Sequence, residues 1–328
     1  MLSKMEALKK AHVAISINPL ESSIPIVSYQ ADHYMTPASN TKLLTFLASV
    51  ESFDSLPALY YQDKDSVTHF KSTGYPLLLH PFYPDLELYS FLKGKNYLVY
   101  HKPKSKLKPQ GSGWSWDDYP HYFASEISPF PIYGNVIQGF GESINPNFVP
   151  NGFETHPTNN SSAANLVREK FKNRFHYNYE KWNLKDTLYQ PFITSDDLFI
   201  RLLRDNLNLP VSFSTQSKRP EWGLLYTNQE GKLYKALLQD SDNGIAESLL
   251  VMISQKRFDE MNIERAIDTL KFQWRNWLPD PLEWVDGSGV SRYNMITPRT
   301  LVAVLKKIHN KVGFQNIKNY FPKGALSG

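Results

Sequence analysis

The sequence predicts a mixed α/β (α+β) protein built as two bodies, one inserted into the other. Three observations carry that expectation. Two short strand patterns open the chain, helical stripes recur at three later places, and the long middle mixes short strand patterns with Pro, Gly and aromatic clusters.

In chain order, His12-Val13-Ala14-Ile15-Ser16-Ile17 and Ile24-Pro25-Ile26-Val27-Ser28-Tyr29 read as two strands joined by a turn. A helix follows from Ser39, with Leu43, Leu44, Phe46, Leu47, Ala48 and Val50 as its apolar run. Residues 63–221 read as the inserted mixed or β-rich domain, which leaves 1–62 and 222–328 as one discontinuous domain. Such an insertion is tolerated because loop closure cost grows slowly with length. Helical patterns dominate from Gly231 onward. Ile245, Leu249, Met252 and Ile253 form one buried stripe. Thr297-Pro298 reads as a helix cap and first helical residue, with Leu301, Val304, Leu305 and Ile308 on one face.

The chemistry-bearing string is Pro37-Ala38-Ser39-Asn40-Thr41-Lys42. A serine three residues ahead of a lysine at a helix start places hydroxyl and amine one turn apart on one face. Serine is a weak nucleophile until a base lies within hydrogen-bond reach, and a lysine buried among apolar neighbours loses its preference for the charged form. The pattern recurs at Ser105-Lys106-Leu107-Lys108, but that match sits in a lysine-rich polar stretch with no apolar helix behind it and reads as solvated loop. Ser241-Asp242-Asn243 ends a polar turn ahead of the Ile245 helix; alone, it is an ordinary helix cap. Asp286-Gly287-Ser288-Gly289-Val290-Ser291-Arg292-Tyr293-Asn294 is a glycine-containing loop before the Thr297 helix.

Ser-x-x-Lys and Ser-Asp-Asn, in that order, belong to the set found in β-lactamases and penicillin-binding proteins. With the Asp286–Asn294 string, and with Gly113-Trp114-Ser115-Trp116-Asp117-Asp118-Tyr119 and Pro131-Ile132-Tyr133-Gly134-Asn135 in the middle, the chain closely resembles the low-molecular-mass class C penicillin-binding proteins. These are D-alanyl-D-alanine carboxypeptidases/endopeptidases of the bacterial envelope. The resemblance implies a β-lactamase/transpeptidase-like domain, an antiparallel sheet flanked by helices, carrying a large insert. It implies Ser39 as nucleophile, Lys42 as base, Ser241 as proton relay, and Asn243 as the group holding Lys42 and the substrate amide. Asn243, Asp286 and Ser288 are the implied substrate-binding residues. Peptidoglycan peptides and β-lactams are the implied partners, and the periplasm or cell envelope the implied compartment. A β-lactamase-type hydrolase and a non-catalytic wall-binding relative are the alternatives.

No Lys-Thr-Gly or Lys-Ser-Gly follows Asp286. The ending, Phe321-Pro322-Lys323-Gly324-Ala325-Leu326-Ser327-Gly328, resembles the family's segment shortly before the strand that carries that motif. The expectation is therefore a longer parent protein, an incomplete sheet here, poor hydrolysis by this polypeptide, and helices at 39–50, 245–256 and 298–309 that lack part of their cover.

The remaining features narrow the classes. At 328 residues, 41% hydrophobic and 21% charged, the chain suits a folded protein with ample core. No stretch approaches the roughly 20 apolar residues that span a bilayer, and no secretory signal follows Met1-Leu2-Ser3-Lys4-Met5-Glu6. The absence of cysteine excludes disulfides, thiol catalysis and Cys-ligated metals. The nine histidines lack metal-ligand spacing, so neither metal nor cofactor is expected. Gly139-Phe140-Gly141-Glu142 is too short for a dinucleotide loop. Lys93, Lys95, Lys102, Lys104, Lys106 and Lys108 read as a solvated hairpin or loop edge, and no nucleic-acid partner is expected. Trp114, Trp116, Tyr119, Tyr122 and Phe123 read as filler of the insert's small core, with the lining of a cleft as the alternative, and Asp117 and Asp118 as loop residues. Peripheral membrane contact and oligomeric state are left open.

Overall fold

The structure, a computed structural model, describes residues 6–8, 10–22, 24–142, 145–159, 165–182, 185–214 and 221–324. Met1 to Met5 of the N-terminal reading and Ala325 to Gly328 of the C-terminal one lie outside the described residues.

In chain order the elements are β1 (Ile15–Ile17), β2 (Val27–Tyr29), α1 (Lys42–Ser52), β3 (Pro57–Lys64), β4 (Val67–Ser72), α2 (Leu86–Lys93), β5 (Tyr97–Tyr100), β6 (Val136–Phe140), β7 (Asn147–Val149), β8 (Glu154–Thr158), β9 (Leu166–Arg168), β10 (Arg174–Asn178) and β11 (Leu188–Pro191). They continue with α3 (Asp196–Leu207), β12 (Val211–Phe213), β13 (Gly223–Tyr226), α4 (Glu230–Leu238), α5 (Asn243–Phe258), α6 (Ile263–Trp274) and α7 (Pro298–Tyr320), the last broken at Gly313. The architecture is the mixed α/β one expected.

The middle of the chain is itself nested. A five-stranded mixed sheet, β12-β5-β4-β3-β13, takes its strands from both ends of the middle segment. Between β5 and β12 in sequence lie two three-stranded sheets, β11-β6-β7 and β8-β10-β9. The expected boundaries at 62/63 and 221/222 cut this arrangement: the first falls inside β3, and β3 pairs antiparallel with β13, Tyr61 opposite Gly223. Because sheet partners fold as one unit, we place the insert's limits at the start of β3 and the end of β13. The lysine stretch is not a hairpin either. Its strand β5 runs parallel to both β4 and β12, and Lys102, Lys106 and Lys108 on the segment after it pair with Asp196, Glu260 and Glu264.

The two chain ends form a helical body of α1, α4, α5, α6 and α7 with one two-stranded antiparallel sheet, β1-β2, Ile15 opposite Tyr29. A helix apolar on all sides must be enclosed on all sides. α1 and α5 obey: Leu44, Phe46, Leu47 and Ala48 are buried on α1, and every residue from Ile245 to Gln255 is buried on α5. Each large apolar side chain so enclosed contributes about 1.5–3 kcal/mol. The few polar groups on α1 are satisfied, Thr45 Oγ1 donating to the Gly287 carbonyl at 2.7 Å and Ser49 Oγ meeting Tyr234 Oη at 3.0 Å. The expectation that α1 and α5 lack cover is thus wrong, because the neighbouring helices and the insert enclose them. α7 buries Thr300, Val304 and Ile308 and leaves Leu305 40% exposed. The β1-β2 sheet is also open, with Ile24 and Ile26 beside it 76% and 70% exposed. Among the described residues, no helix is long and apolar enough to cross a membrane.

Candidate active site

Ser39 stands on a tight 3-10 turn, Ala38–Thr41, that feeds α1. In such a turn the side chains at i and i+3 lie nearly above one another. This brings Lys42 Nζ to 3.3 Å from Ser39 Oγ. Ala38, just ahead, adopts a left-handed backbone (φ 47°) that costs a non-glycine residue about 1–2 kcal/mol. The loop after Asp286 presses on it. A Cβ at Gly289, itself at φ 82°, would lie 1.9 Å from the Ala38 carbonyl oxygen. Only glycine allows that approach.

The turn between α4 and α5 supplies the other half. Asp242 caps α5, its Oδ1 accepting from Ile245 N at 2.8 Å, so the ordinary cap reading applies to that residue. Its neighbours turn elsewhere. Ser241, with φ 57°, donates from Oγ to Ser39 Oγ at 3.0 Å. Asn243 Oδ1 accepts from Lys42 Nζ at 2.6 Å, while its Nδ2 donates to the Phe123 carbonyl at 2.8 Å, which ties the insert to the site. Lys42 is 2% exposed and also donates to the Ser288 carbonyl at 2.8 Å. Burial drives its pKa down to about 8, against the pull of the Glu247, Asp242 and Asp286 carboxylates, which favour the ammonium. Two hydroxyls, an amine and an amide drawn from distant segments meet here.

The pattern of similarity coincides with this geometry. The D-Ala-D-Ala carboxypeptidase 3 (S13) family matches residues 1–57 and 231–328, the two stretches that flank the insert and carry the Ser39, Ser241 and Asp286 motifs. The likeness to that S13 family rests on these two stretches. It is 22% identical over 351 residues to the D-alanyl-D-alanine carboxypeptidase DacB of Haemophilus influenzae, an alignment covering 92% of this chain and 72% of that protein. In fold it is similar to the crystal structure of penicillin binding protein 4 (dacB) from Haemophilus influenzae, with a TM-score of 0.71 at 19% identity over 96% of this chain and 79% of the other. The same protein complexed with a β-lactam gives a TM-score of 0.61 at 18% identity, over 93% and 76%.

Two of the residues expected at the substrate are turned away from the cleft. Asp286 is 1% exposed and Ser288 fully buried. Asp286 accepts from Trp114 Nε1 at 2.9 Å, Gly289 N at 2.8 Å, Ser291 N at 2.7 Å and Asn294 Nδ2 at 2.7 Å. It organises its own loop and has no face left for a ligand. Ser288 acts through its carbonyl on Lys42, a backbone role that no side-chain motif announces. The aromatic cluster is likewise corrected. Trp114 ties to Asp286, Trp116 is 52% exposed, and Tyr122 and Phe123 line a cleft of about 320 Å³ between the insert and the start of α5, together with Ser241 and Asn243. Their place on a wall, not in a core, explains the exposure of Tyr122 and Phe123.

Glu247 went unread in the sequence. It is 1% exposed, and its Oε1 accepts from Gly287 N and Ser288 N at 3.0 and 2.8 Å. Burial, with the Asp286 charge next, holds its carboxyl above the usual range. The available signal was an acid inside the apolar run Ile245–Ile253, four residues after Asn243 and so on the same helix face.

Proposed function

We propose that this protein is a serine D-Ala-D-Ala carboxypeptidase/endopeptidase that cleaves peptidoglycan stem peptides through an acyl-enzyme on Ser39 and is acylated by β-lactams at the same residue. The observation that carries the reading is the set of three oxygens around Lys42 Nζ: Ser39 Oγ, Asn243 Oδ1 and the Ser288 carbonyl. As an ammonium, Lys42 has one N–H for each. The two carbonyl oxygens can only accept, whereas a hydroxyl can also donate. When the amine loses a proton, the lone pair therefore falls toward Ser39. A base so aimed takes the Ser39 proton as Oγ attacks the carbonyl carbon of the penultimate D-Ala. Ser241, hydrogen-bonded to Ser39, suits a relay of that proton to the departing amine of the terminal D-Ala. Water then cleaves the ester and frees Ser39.

A lysine titrating near 8 is matched to this role, since a base works best when its pKa lies near the working pH. A peptidoglycan substrate points to the cell envelope as the compartment. The test is labelling with a fluorescent penicillin together with D-Ala release from a stem pentapeptide. Wild-type protein is expected to label at a single site and Ser39→Ala to lose both signals; labelling that survives Ser39→Ala overturns the reading.

A further inference from the structure

Glu247 lies outside the expected catalytic set, yet it is the only carboxylate in the stretch Ile245–Ile253 and is sealed from solvent. A buried carboxylate is costly unless it is fully hydrogen-bonded, and an apolar side chain of similar volume would spare that cost. What Glu247 obtains is two adjacent backbone N–H groups. Oε1 accepts from Gly287 N and Ser288 N, and Oε2 from Gly287 N at 3.1 Å. The peptide that follows presents the Ser288 carbonyl to Lys42 Nζ. The backbone has little freedom otherwise, because a Cβ at Gly287 would lie 2.6 Å from the Ala246 carbonyl oxygen, so loop and helix meet backbone to backbone.

We infer that Glu247 is a positioning residue for the base: its carboxyl oxygens pin the Gly287–Ser288 turn and thereby fix where the Ser288 carbonyl receives Lys42 Nζ. This inference rests on Lys42 being the base. Glu247 and Asn243, one turn apart on α5, then form a two-point clamp. Asn243 holds the amine directly and Glu247 holds it through the loop. Without the Ser288 acceptor the amine keeps one carbonyl partner, can rotate about Cε–Nζ, and no longer directs its lone pair at Ser39 alone. Glu247→Gln separates charge and acceptor count from volume. A glutamine oxygen in the Oε1 place still accepts from both N–H groups, while the NH2 in the Oε2 place faces Gly287 N–H, donor against donor.

The test compares wild-type protein with Glu247→Gln and Glu247→Asp in penicillin acylation, separating the acylation rate constant from the dissociation constant of the preceding complex, with thermal unfolding as the folding control. The expected result is a Gln variant that stays folded, binds penicillin within about twofold of wild type, and acylates ten- to a hundredfold more slowly. The Asp variant, which keeps two acceptor oxygens, is expected to recover part of the rate. A folded Gln variant with wild-type acylation overturns the inference, as does one whose loss appears in binding and melting temperature instead of in the acylation step. A crystal structure of the Gln variant gives a readout independent of turnover. Displacement of the Ser288 carbonyl from Lys42 supports the positioning role even if wild-type protein proves unreactive, an outcome that sinks the peptidase reading alone; an unmoved carbonyl overturns the positioning role.

Discussion

Lys42 and Asn243 are 201 positions apart in the chain, and 2.6 Å separates the Lys42 ammonium nitrogen from the Asn243 amide oxygen. That contact spans the whole insert, and it joins α1 to the start of α5. Hydrogen bonds to a charged group contribute about 1.5–3 kcal/mol. Asn243→Ala removes this acceptor and, at about 1.4 kcal/mol per factor of ten, is expected to slow penicillin acylation ten- to a hundredfold. Stopped-flow or gel-based labelling rates measure it.

The titration of Lys42 sets a pH dependence. Burial lowers its pKa to about 8, so below that value the amine is an ammonium and cannot accept the Ser39 proton. Acylation by penicillin should therefore rise between about pH 7 and 9, with its acid limb centred near 8. Lys42→Arg, whose guanidinium does not deprotonate in this range, should abolish the limb along with most of the rate. A flat profile in wild-type protein counts against Lys42 as base.

Gly289 permits the approach of the 286–294 loop to Ser39. A methyl at this site would strike the Ala38 carbonyl and would also have to adopt φ 82°. Left-handed strain of about 1–2 kcal/mol plus overpacking of about 1–3 kcal/mol predicts that Gly289→Ala loses roughly 2–5 kcal/mol of stability. Urea unfolding gives the number, and labelling of the surviving folded fraction should fall as well, since Ser39 follows Ala38 directly.

Trp114 separates a structural role for Asp286 from a substrate-binding one. Trp114→Phe removes a single donor from a carboxylate that keeps Gly289 N, Ser291 N and Asn294 Nδ2. The expected cost is about 1–3 kcal/mol in unfolding with little change in KM for a stem peptide. A large KM increase at unchanged stability would return Asp286 to the substrate side.

α7 offers a control outside the proposed catalytic set. Val304 is fully buried and Leu305 is 40% exposed on the adjacent position. Val304→Ala should cost about 1–3 kcal/mol, whereas Leu305→Ala should stay within about 1 kcal/mol, as measured by melting temperature.

Much of the site was legible because its parts are local. Ser39 and Lys42 are one turn apart, and a helical stripe behind them announces burial. Ser241 and Asn243 flank a capping residue whose geometry follows from the helix it starts. The strands β1 and β2 and the α5 and α7 stripes were readable for the same reason, since period and cap chemistry act within a few residues. The failures are non-local. Whether Asp286 faces substrate or its own loop depends on Trp114, which lies far away in sequence. The partner of β3 is β13, found only after the entire insert, so its boundary could not be drawn from composition.

By itself, then, the sequence determined the residue types of the proposed catalytic set, their order and the helices that carry them, because those depend on hydrogen bonds and apolar spacing inside short segments. The tertiary structure alone decided which backbone groups complete the site. The Ser288 carbonyl, the Phe123 carbonyl and the two N–H groups on Glu247 are present at every residue of any chain. They acquire meaning only when close packing at Gly287 and Gly289 brings a particular peptide against α1 and α5.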